Sequence, residues 1–193
     1  MGFMHMEQNK ALFLDRDGVI NVDDNYVHTR EAFHFQPGIY DLCRAAHSLG
    51  YLLLVVTNQA GIARGYYTES DFLELTKWMT QKFAEEQIQI ARVYYCPYHP
   101  VHGVGRYRRD SPDRKPMPGM LLRARADFNL DMTASVLIGD KESDIEAAQA
   151  AGVGTKILLH SGTAGVEVQE KGDGICISDS LDDIRCRFFS PVV

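Results

Sequence analysis

Two aspartates at the end of a predicted strand are the first residues of the chain that could do chemistry. The apolar run 11–14 (ALFL) is typical of a strand buried on both faces, and Asp15 and Asp17 follow it. Side chains two residues apart on an extended chain point to the same side, so these carboxylates would repel each other. The pattern predicts a bound divalent cation or a shared proton, although an ordinary polar turn through Gly18 contains the same residue types.

Three further segments carry a hydroxyl group, an ammonium group and more carboxylates. They are Thr57-Asn58-Gln59, Arg114-Lys115-Pro116 and the run from Gly139 to Asp144. The Thr57 hydroxyl and the Asn58 backbone N–H could donate to phosphate oxygens, and the ammonium group of Lys115 would balance the charge of a dianionic phosphate. Taken singly, Thr57 could also be a turn cap and Lys115 a solvated surface lysine.

Apolar strands alternate along the chain with segments of helical spacing, which is typical of a parallel sheet covered by helices on both faces. We expect helices near 38–48, from 68 onward, near 119–128 and near 144–151, and later strands at 156–159 and 174–177. Since the carboxyl ends of parallel strands share one edge of a sheet, the polar segments should meet there. The sequence therefore predicts a three-layer, doubly wound α/β fold without a large cap domain, in which the loops 18–36 and 96–118 wall a pocket.

The composition is that of one enzyme-sized domain. The chain has 193 residues, 45% of them hydrophobic, and a formal net charge of -6 that argues against a nucleic-acid footprint. No apolar run is long enough to span a membrane, and residues 1–10 lack the hydrophobic core of a signal peptide. We expect residues 10–190 to form a single domain in the cytoplasm, after a disordered or tag-like N-terminus at 1–9. The cysteines should then be reduced; they are Cys43, Cys96, Cys176 and Cys186.

The order of the four polar segments resembles that of the haloacid dehalogenase-like phosphatases. The matching motifs are Asp-x-Asp-Gly-x-x-Asn at 15–21, Thr-Asn-Gln at 57–59, Arg-Lys-Pro at 114–116 and Gly-Asp-x-x-x-Asp at 139–144. Among these phosphatases, the chain is similar to the D,D-heptose 1,7-bisphosphate phosphatases from about Ala11 to His160. The segments that favour this subfamily are 22–28, 57–65, 94–97 and 114–116. The resemblance implies a Rossmann-like core and phosphatase activity.

The resemblance also implies which residues are catalytic. Asp15 would attack phosphorus and form an aspartyl-phosphate. Asp17 would protonate the leaving oxygen and then deprotonate the water that hydrolyses the intermediate. Thr57, the Asn58 amide and Lys115 would bind the phosphate oxygens during both steps.

The implied cofactor is Mg²⁺, held by Asp15, Asp140 and the backbone carbonyl of Asp17. Asp144 would orient Lys115 or a metal-bound water.

Relatives in this subfamily also carry zinc in the long loop, but only the first of the four corresponding positions holds a good ligand here. These positions are Cys96, Tyr98, Ser111 and Asp113. We therefore predict no structural zinc. The alternative is a site rebuilt by His99 and His102 together with Cys96 and Asp113.

The implied reaction is removal of the 7-phosphate of D-glycero-D-manno-heptose 1,7-bisphosphate, on the way to a nucleotide-activated heptose for lipopolysaccharide core or a related glycan. The residues expected to contact the substrate are Asp23, Tyr26, Thr57, Asn58, Gln59, Arg114, Lys115 and Lys141. Arg114 would bind the phosphate that does not react, while the basic run 106–109 is either a solvated stretch or a second clamp. We expect a small phosphorylated sugar as the partner, and neither nucleic acid nor membrane.

Other functions stay open at this point. A histidinol-phosphate phosphatase, or another small phosphomonoesterase, would use the same catalytic residues and differ in its loops. A non-enzymatic phosphoacceptor of the response-regulator kind also places aspartates, a threonine and a lysine around magnesium, but its acceptor comes later in the chain. A degenerate binding protein would have lost a catalytic position, and here none is missing.

Overall fold

The structure is a computed structural model that describes residues 8–160 and 169–190. The strands it contains are β1 Lys10–Leu14, β2 Tyr51–Asn58, β3 Ile90–Cys96, β4 Val136–Gly139, β5 Thr155–Leu159, β6 Gln169–Gly172 and β7 Ile175–Ser178. The helices are α1 Ile39–Ser48, α2 Ala60–Ala63, α3 Glu69–Glu85, α4 Gly119–Phe128, α5 Glu142–Ala150 and α6 Leu181–Phe188. A short 3-10 turn covers Gly105–Tyr107.

The strands form one sheet in the order β3-β2-β1-β4-β5-β7-β6. Each neighbouring pair is parallel except β6 with β7. The chain moves outward from β1 to β3 on one side and outward from β4 on the other, so the strand order reverses between β1 and β4. Such a switch point leaves a crevice at the carboxyl ends of the strands, where α/β proteins bind ligands. The predicted doubly wound α/β fold is confirmed.

The central strand β1 alternates its side chains between two cores. Leu12 and Leu14 pack on the face covered by α1, α3 and α6, while Ala11 and Phe13 pack on the face covered by α4 and α5. All four side chains are fully buried. Burial on both faces explains the unbroken apolar run in the sequence, and it fixes the strand end that carries the first two aspartates.

Helix α3 begins at the predicted cap. The Thr68 hydroxyl accepts a hydrogen bond from the backbone N–H of Asp71, and the Asp71 carboxylate accepts one from the backbone N–H of Thr68. Its buried residues follow the predicted spacing; they are Phe72, Leu75, Met79 and Phe83.

The residue just before the predicted domain start at residue 10 makes backbone contacts with the rest of the fold. The backbone of Asn9 pairs with Asn129 and Asp131, so this residue extends the edge of the fold. Of the expected loose N-terminus, residues 1–7 lie outside the described part of the chain.

Two long connections lie at the carboxyl edge of the sheet. Residues 15–38 contain turns and isolated bridges, and residues 97–118 contain turns and the short 3-10 turn. Within the part of the chain that the structure describes, neither connection carries a sheet or a long helix that could form a cap. No described helix has the length and apolar character needed to cross a membrane.

Candidate active site

A buried lysine joins two aspartates, one directly after β1 and one in the first turn of α5. The side chain of Lys115 is 3% exposed, and its ammonium group lies 3.0 Å from Oδ1 of Asp15 and makes a second ion pair with Asp144. It also donates a hydrogen bond of 2.8 Å to the carbonyl of Val56 in β2. Burial by itself would lower the pKa of Lys115, but the two carboxylates hold it above its ordinary value. The lysine therefore stays positively charged beside Asp15.

Three carboxylates converge at the same point. Asp15, Asp140 and Asp144 each offer an oxygen, and these atoms lie within 4.8 Å of one another. Burial raises the pKa of Asp15, an effect that Lys115 opposes and Asp144 strengthens. Burial and the neighbouring Asp15 raise the pKa of Asp140 to about 7, and Oδ1 of Asp140 is buried without a hydrogen-bond partner. Unsatisfied carboxylate oxygens of this kind are the donor set that Mg²⁺ prefers, so these residues fit the metal.

Gly18 brings the backbone after Asp17 close to this cluster. Its φ angle is +91°, and a Cβ atom at this position would lie 2.4 Å from Oδ2 of Asp140. Only glycine combines this backbone conformation with the room it leaves for the carboxylate. The turn that follows the two aspartates is therefore shaped around Asp140.

The carboxylate of Asp17 is held by three side chains. Arg16 donates from Nη2 at 2.8 and 2.9 Å, Asn21 donates from Nδ2 at 3.1 Å, and Gln59 donates from Nε2 at 3.2 Å. Arg16 is 1% exposed and also donates to the carbonyl of Val27. We did not predict a role for Arg16, because an arginine between two aspartates in a polar turn resembles a solvated residue. Its burial and its hydrogen bonds show that it holds the carboxylate of Asp17 in place.

Thr57 and Gln59 form a buried network behind the cleft. The Gln59 amide donates to the Thr57 hydroxyl at 2.9 Å, and its carbonyl oxygen accepts from the hydroxyl of Tyr67 at 2.6 Å. Thr57 and Gln59 are each 1% exposed. We predicted Gln59 as a substrate contact, but its position and its occupied polar atoms indicate that it holds Thr57 and Asp17 in place.

The side chain of Asn58 connects two of the predicted motifs. Its Oδ1 accepts from the backbone N–H of Lys115 at 3.1 Å, and its Nδ2 donates to the carbonyl of the same residue at 3.0 Å. Because these two bonds fix the backbone of Lys115, Asn58 determines where the ammonium group enters the site. Only the backbone of Asn58 is then left to contact a phosphate.

A cleft of about 410 Å³ opens above these groups. Its lining residues are Asp15, Asp17, Asp23, Asn25, Tyr26, Asn58, Ala60, Tyr67, Arg114, Lys115, Lys141, Ser143 and Asp144. Most of the predicted site residues are among them; Thr57, Gln59 and Asp140 are not. Asn25, Ala60, Tyr67 and Ser143 were not predicted; all except Tyr67 are within two residues of a predicted one.

A residue of the first loop and the residue before α5 meet in the cleft wall. The ammonium group of Lys141 lies 3.0 Å from Asp23 and 3.2 Å from Asp140. Burial would lower the pKa of Lys141, but the two carboxylates raise it instead. Tyr26 lines the same wall with a φ angle of +59°, a conformation that costs energy for a residue with a bulky side chain. Such strain is concentrated at ligand sites.

Arg114 is the cation of the cleft that lacks a counter-charge. Its Nη1 donates to the carbonyl of Tyr98 at 3.2 Å, and no carboxylate among the described residues pairs with it. Burial lowers the pKa of Arg114; the nearby guanidinium of Arg64 adds to this effect, and Cys96 opposes it. An anion entering the cleft would relieve this uncompensated charge.

The basic run 106–109 does not reach the cleft. Arg106 donates to the hydroxyl of Tyr107, and the guanidinium of Arg109 lies 3.8 Å from the ring centroid of Tyr98. None of the four residues of the run is part of the cleft lining. The hypothesis that the run itself clamps a phosphate is therefore not supported by its position.

The four residues of the alternative zinc site do not converge on one point; they are Cys96, His99, His102 and Asp113. His99 uses Nδ1 to accept from the backbone of Val101 and His102, and Asp113 pairs with Arg123 at 3.3 Å. Within the described residues, the one converging group of three or more His, Cys, Asp or Glu side chains is Asp15, Asp140 and Asp144. The side chains of Cys96, His99, His102 and Asp113 therefore do not converge in this structure, and the absence of structural zinc stays a prediction.

Comparison with known proteins places the chain among sugar phosphatases. A family model described as HAD-hydrolase-like matches residues 113–185. The D-glycero-alpha-D-manno-heptose-1,7-bisphosphate 7-phosphatase of Burkholderia mallei is 60% identical over 152 residues, which are 79% of this chain and 80% of that protein. The D-glycero-beta-D-manno-heptose-1,7-bisphosphate 7-phosphatase of Vibrio cholerae is 48% identical over 176 residues, which are 90% of this chain and 93% of that protein.

Solved structures agree with this relationship. A chain from Mesorhizobium loti described as a HAD-like phosphatase has a TM-score of 0.81 at 35% identity, covering 92% of this chain and 83% of its own. The D,D-heptose 1,7-bisphosphate phosphatase of B. bronchiseptica, solved with magnesium and phosphate, has a TM-score of 0.75 at 24% identity, covering 91% and 95%. At that identity the second structure supports the fold alone.

Proposed function

Because the chain belongs to the D-glycero-D-manno-heptose-1,7-bisphosphate 7-phosphatases, a family of HAD-like hydrolases, we propose that it removes the 7-phosphate of D-glycero-D-manno-heptose 1,7-bisphosphate. The observation that carries this proposal is the buried ion-paired group of Asp15, Lys115 and Asp144 at the floor of a cleft with an unpaired arginine in its wall. This arrangement suits a substrate with one reacting and one distant phosphate. The product, a heptose 1-phosphate, would enter the synthesis of a nucleotide-activated heptose.

Asp15 is the nucleophile in this proposal. Its carboxylate would attack phosphorus in line, so that a bond forms between Oδ and phosphorus while the bond from phosphorus to the sugar O7 breaks. Water then attacks the aspartyl-phosphate and releases inorganic phosphate and the free carboxylate. Lys115 supports both steps, because its charge lies 3.0 Å from Asp15 and balances the incoming phosphate.

Asp17 would move the protons of both steps. As an acid it would give a proton to O7 of the leaving sugar, and as a base it would take one from the attacking water. The hydrogen bonds from Arg16, Asn21 and Gln59 orient its carboxylate. Its side chain is 16% exposed, which keeps it within reach of a bound substrate.

The phosphate oxygens have donors on the other side of the site. The Thr57 hydroxyl and the backbone N–H of Asn58 lie at the end of β2, next to β1 in the sheet. Both are fixed before substrate arrives, Thr57 by Gln59 and Asn58 by Lys115. Preorganised donors of this kind stabilise the charge that develops in the transition state.

Mg²⁺ is the cofactor that the acidic cluster fits. Asp15, Asp140 and the backbone carbonyl of Asp17 would hold it, and Asp144 would act on Lys115, with which it makes an ion pair. When bound, the ion would offset the repulsion between the carboxylates and the phosphate and would stabilise charge on the phosphoryl oxygens. A cytoplasmic location stays a prediction.

Phosphate release from a panel of substrates tests this function. The panel contains both anomers of heptose 1,7-bisphosphate, because the names of the relatives divide between them, together with histidinol phosphate and fructose 1,6-bisphosphate. With magnesium present, we expect one heptose bisphosphate to give the highest kcat/KM. A higher value for histidinol phosphate would refute the proposal, and a single turnover without further release would indicate a phosphoacceptor.

A further inference from the structure

One arginine of the basic run 106–109 lies over the ring of Tyr98, the residue whose carbonyl contacts Arg114. The guanidinium of Arg109 lies 3.8 Å from the ring centroid of Tyr98, within the range of a close cation–π contact. Arg106 lies over the ring of its own neighbour Tyr107 at 4.8 Å and donates to the hydroxyl of that residue, so it makes no contact with Tyr98. Arg108 is exposed, and within the described residues its side chain has no partner. Arg109 and Arg108 are therefore adjacent, equally charged residues with different surroundings.

Tyr98, whose ring Arg109 contacts, also binds Arg114 through its backbone carbonyl. The carbonyl of Tyr98 accepts from Nη1 of Arg114 at 3.2 Å, and Arg114 lines the cleft. A shift of the Tyr98 backbone would therefore move the guanidinium that faces the substrate. Arg109 stacks on the ring of Tyr98, and Tyr98 presents its carbonyl to Arg114.

Backbone hydrogen bonds join the two sides of the loop between residues 99 and 107. The N–H of His99 donates to the carbonyl of Tyr107 at 3.1 Å, and the N–H of Gly103 donates to the carbonyl of His99 at 3.2 Å. A Cβ atom at Gly103 would lie 2.5 Å from the Tyr107 carbonyl oxygen, so the two sides of the loop are in direct contact. The rings of Tyr98 and Tyr107 lie 6.1 Å apart across it.

These contacts occupy the place where the subfamily resemblance implies zinc. Tyr98 and Ser111 stand at two of the expected ligand positions and cannot supply a thiolate or imidazole. The residues present do not fit a tetrahedral zinc centre, and the loop has aromatic, arginine and backbone contacts instead.

We propose that Arg109 is a positioning residue, which holds Tyr98 by stacking on its ring and so fixes Arg114 for the distant phosphate without a metal. This inference rests on the proposed function for the identity of that phosphate. A direct phosphate contact by Arg109 is disfavoured because Arg109 does not line the cleft. Stacking depends on the planar guanidinium, whereas simple charge would be supplied equally by lysine.

The test compares Arg109→Gln with the matched control Arg108→Gln, which removes the same charge one residue away. We expect Arg109→Gln to lower kcat/KM for heptose 1,7-bisphosphate roughly two- to fivefold, through KM, and to leave p-nitrophenyl phosphate hydrolysis unchanged. Arg108→Gln should change neither. Arg109→Lys should resemble Arg109→Gln, and the loss should not add to that of Tyr98→Leu, because both variants break the same contact.

Hydrogen exchange gives a readout that does not depend on the substrate. Backbone amides of residues 99–107 should exchange faster in Arg109→Gln than in Arg108→Gln, in protein free of substrate. Equal behaviour of the two variants, or rescue by lysine, would overturn the inference. A second result would also overturn it: elemental analysis that finds one zinc per chain in the wild type, with both the zinc and the slow amide exchange of the loop lost in Cys96→Ser. If the wild type shows no preference for the bisphosphate, the proposed function fails, while the exchange result still decides whether Arg109 orders the loop.

Discussion

Replacing Asp140 by asparagine should stabilise the protein in metal-free buffer, although we expect the same change to abolish catalysis. Burial and the neighbouring Asp15 raise the pKa of Asp140 from its ordinary 3.8 to about 7, and Lys141 opposes only part of this. A carboxyl group whose pKa is higher in the folded than in the unfolded state takes up a proton on folding. The free energy of unfolding should therefore fall as pH rises from about 4 to about 7.

The size of the effect follows from the same values. A pKa of about 7 in place of 3.8 means that the charged carboxylate destabilises the folded state by at most about 4 kcal/mol at neutral pH. Each tenfold change in the acid dissociation constant corresponds to about 1.36 kcal/mol. The side chain of Asp140 is 13% exposed, so solvent screens part of the repulsion, and we take about 1–2 kcal/mol as the expected effect. Asparagine keeps the shape of the side chain and removes its charge. We expect Asp140→Asn to raise the free energy of unfolding by about 1–2 kcal/mol at pH 8 and by much less at pH 5.

Urea unfolding in EDTA across this pH range measures the change. The matched control is Asp144→Asn, four residues on, which leaves Lys115 without one of its two buried partners and should lower the free energy of unfolding by about 3–5 kcal/mol. Added magnesium should stabilise the wild type more than Asp140→Asn. A loss of stability in Asp140→Asn at pH 8, or a gain that is the same at pH 5, would show that Asp140 carries no uncompensated charge.

Three further predictions concern catalysis, specificity and metal. Asp15→Asn should abolish turnover while the circular dichroism spectrum stays native, and Asp17→Asn should reduce turnover severely; comparable activity in Asp15→Asn would rule out this nucleophile. Arg114→Ala should lower kcat/KM for the bisphosphate roughly ten- to a hundredfold and for p-nitrophenyl phosphate much less, because a partly buried charge-assisted contact is lost; equal losses would assign Arg114 to the reacting phosphate. Elemental analysis should find less than about 0.2 zinc per chain, and chelation should stop catalysis without unfolding the protein; one tightly bound zinc per chain would contradict this.

The sequence predicts the fold and the floor of the site well, because both depend on local patterns. The run 11–14 is apolar throughout since β1 is covered on both faces, and the aspartates follow it at the sheet edge where parallel strands end. The cap at Thr68 likewise depends on residues three apart. Strand β3 is harder to predict, because its exposed Arg92 interrupts the apolar pattern.

The supporting residues could not be predicted, because their roles depend on contacts between distant segments. Arg16 looks like a turn residue until the carbonyl of Val27 and the carboxylate of Asp17 are seen to enclose it. Gln59 lies in a predicted motif, but only the folded chain shows that its amide is bonded to Asp17, Thr57 and Tyr67. Arg109 is part of a basic run in the sequence, and only the folded loop shows which aromatic ring it meets.

Phosphorus NMR of the reaction with heptose 1,7-bisphosphate tests the central claim most directly. Each phosphate of the substrate has its own resonance, so the spectrum shows which one becomes inorganic phosphate. We predict that the 7-phosphate signal is lost with magnesium present while the 1-phosphate signal persists, and that Asp15→Asn shows no conversion. Loss of the 1-phosphate signal, or no conversion by wild-type protein that hydrolyses histidinol phosphate, would contradict the proposed function.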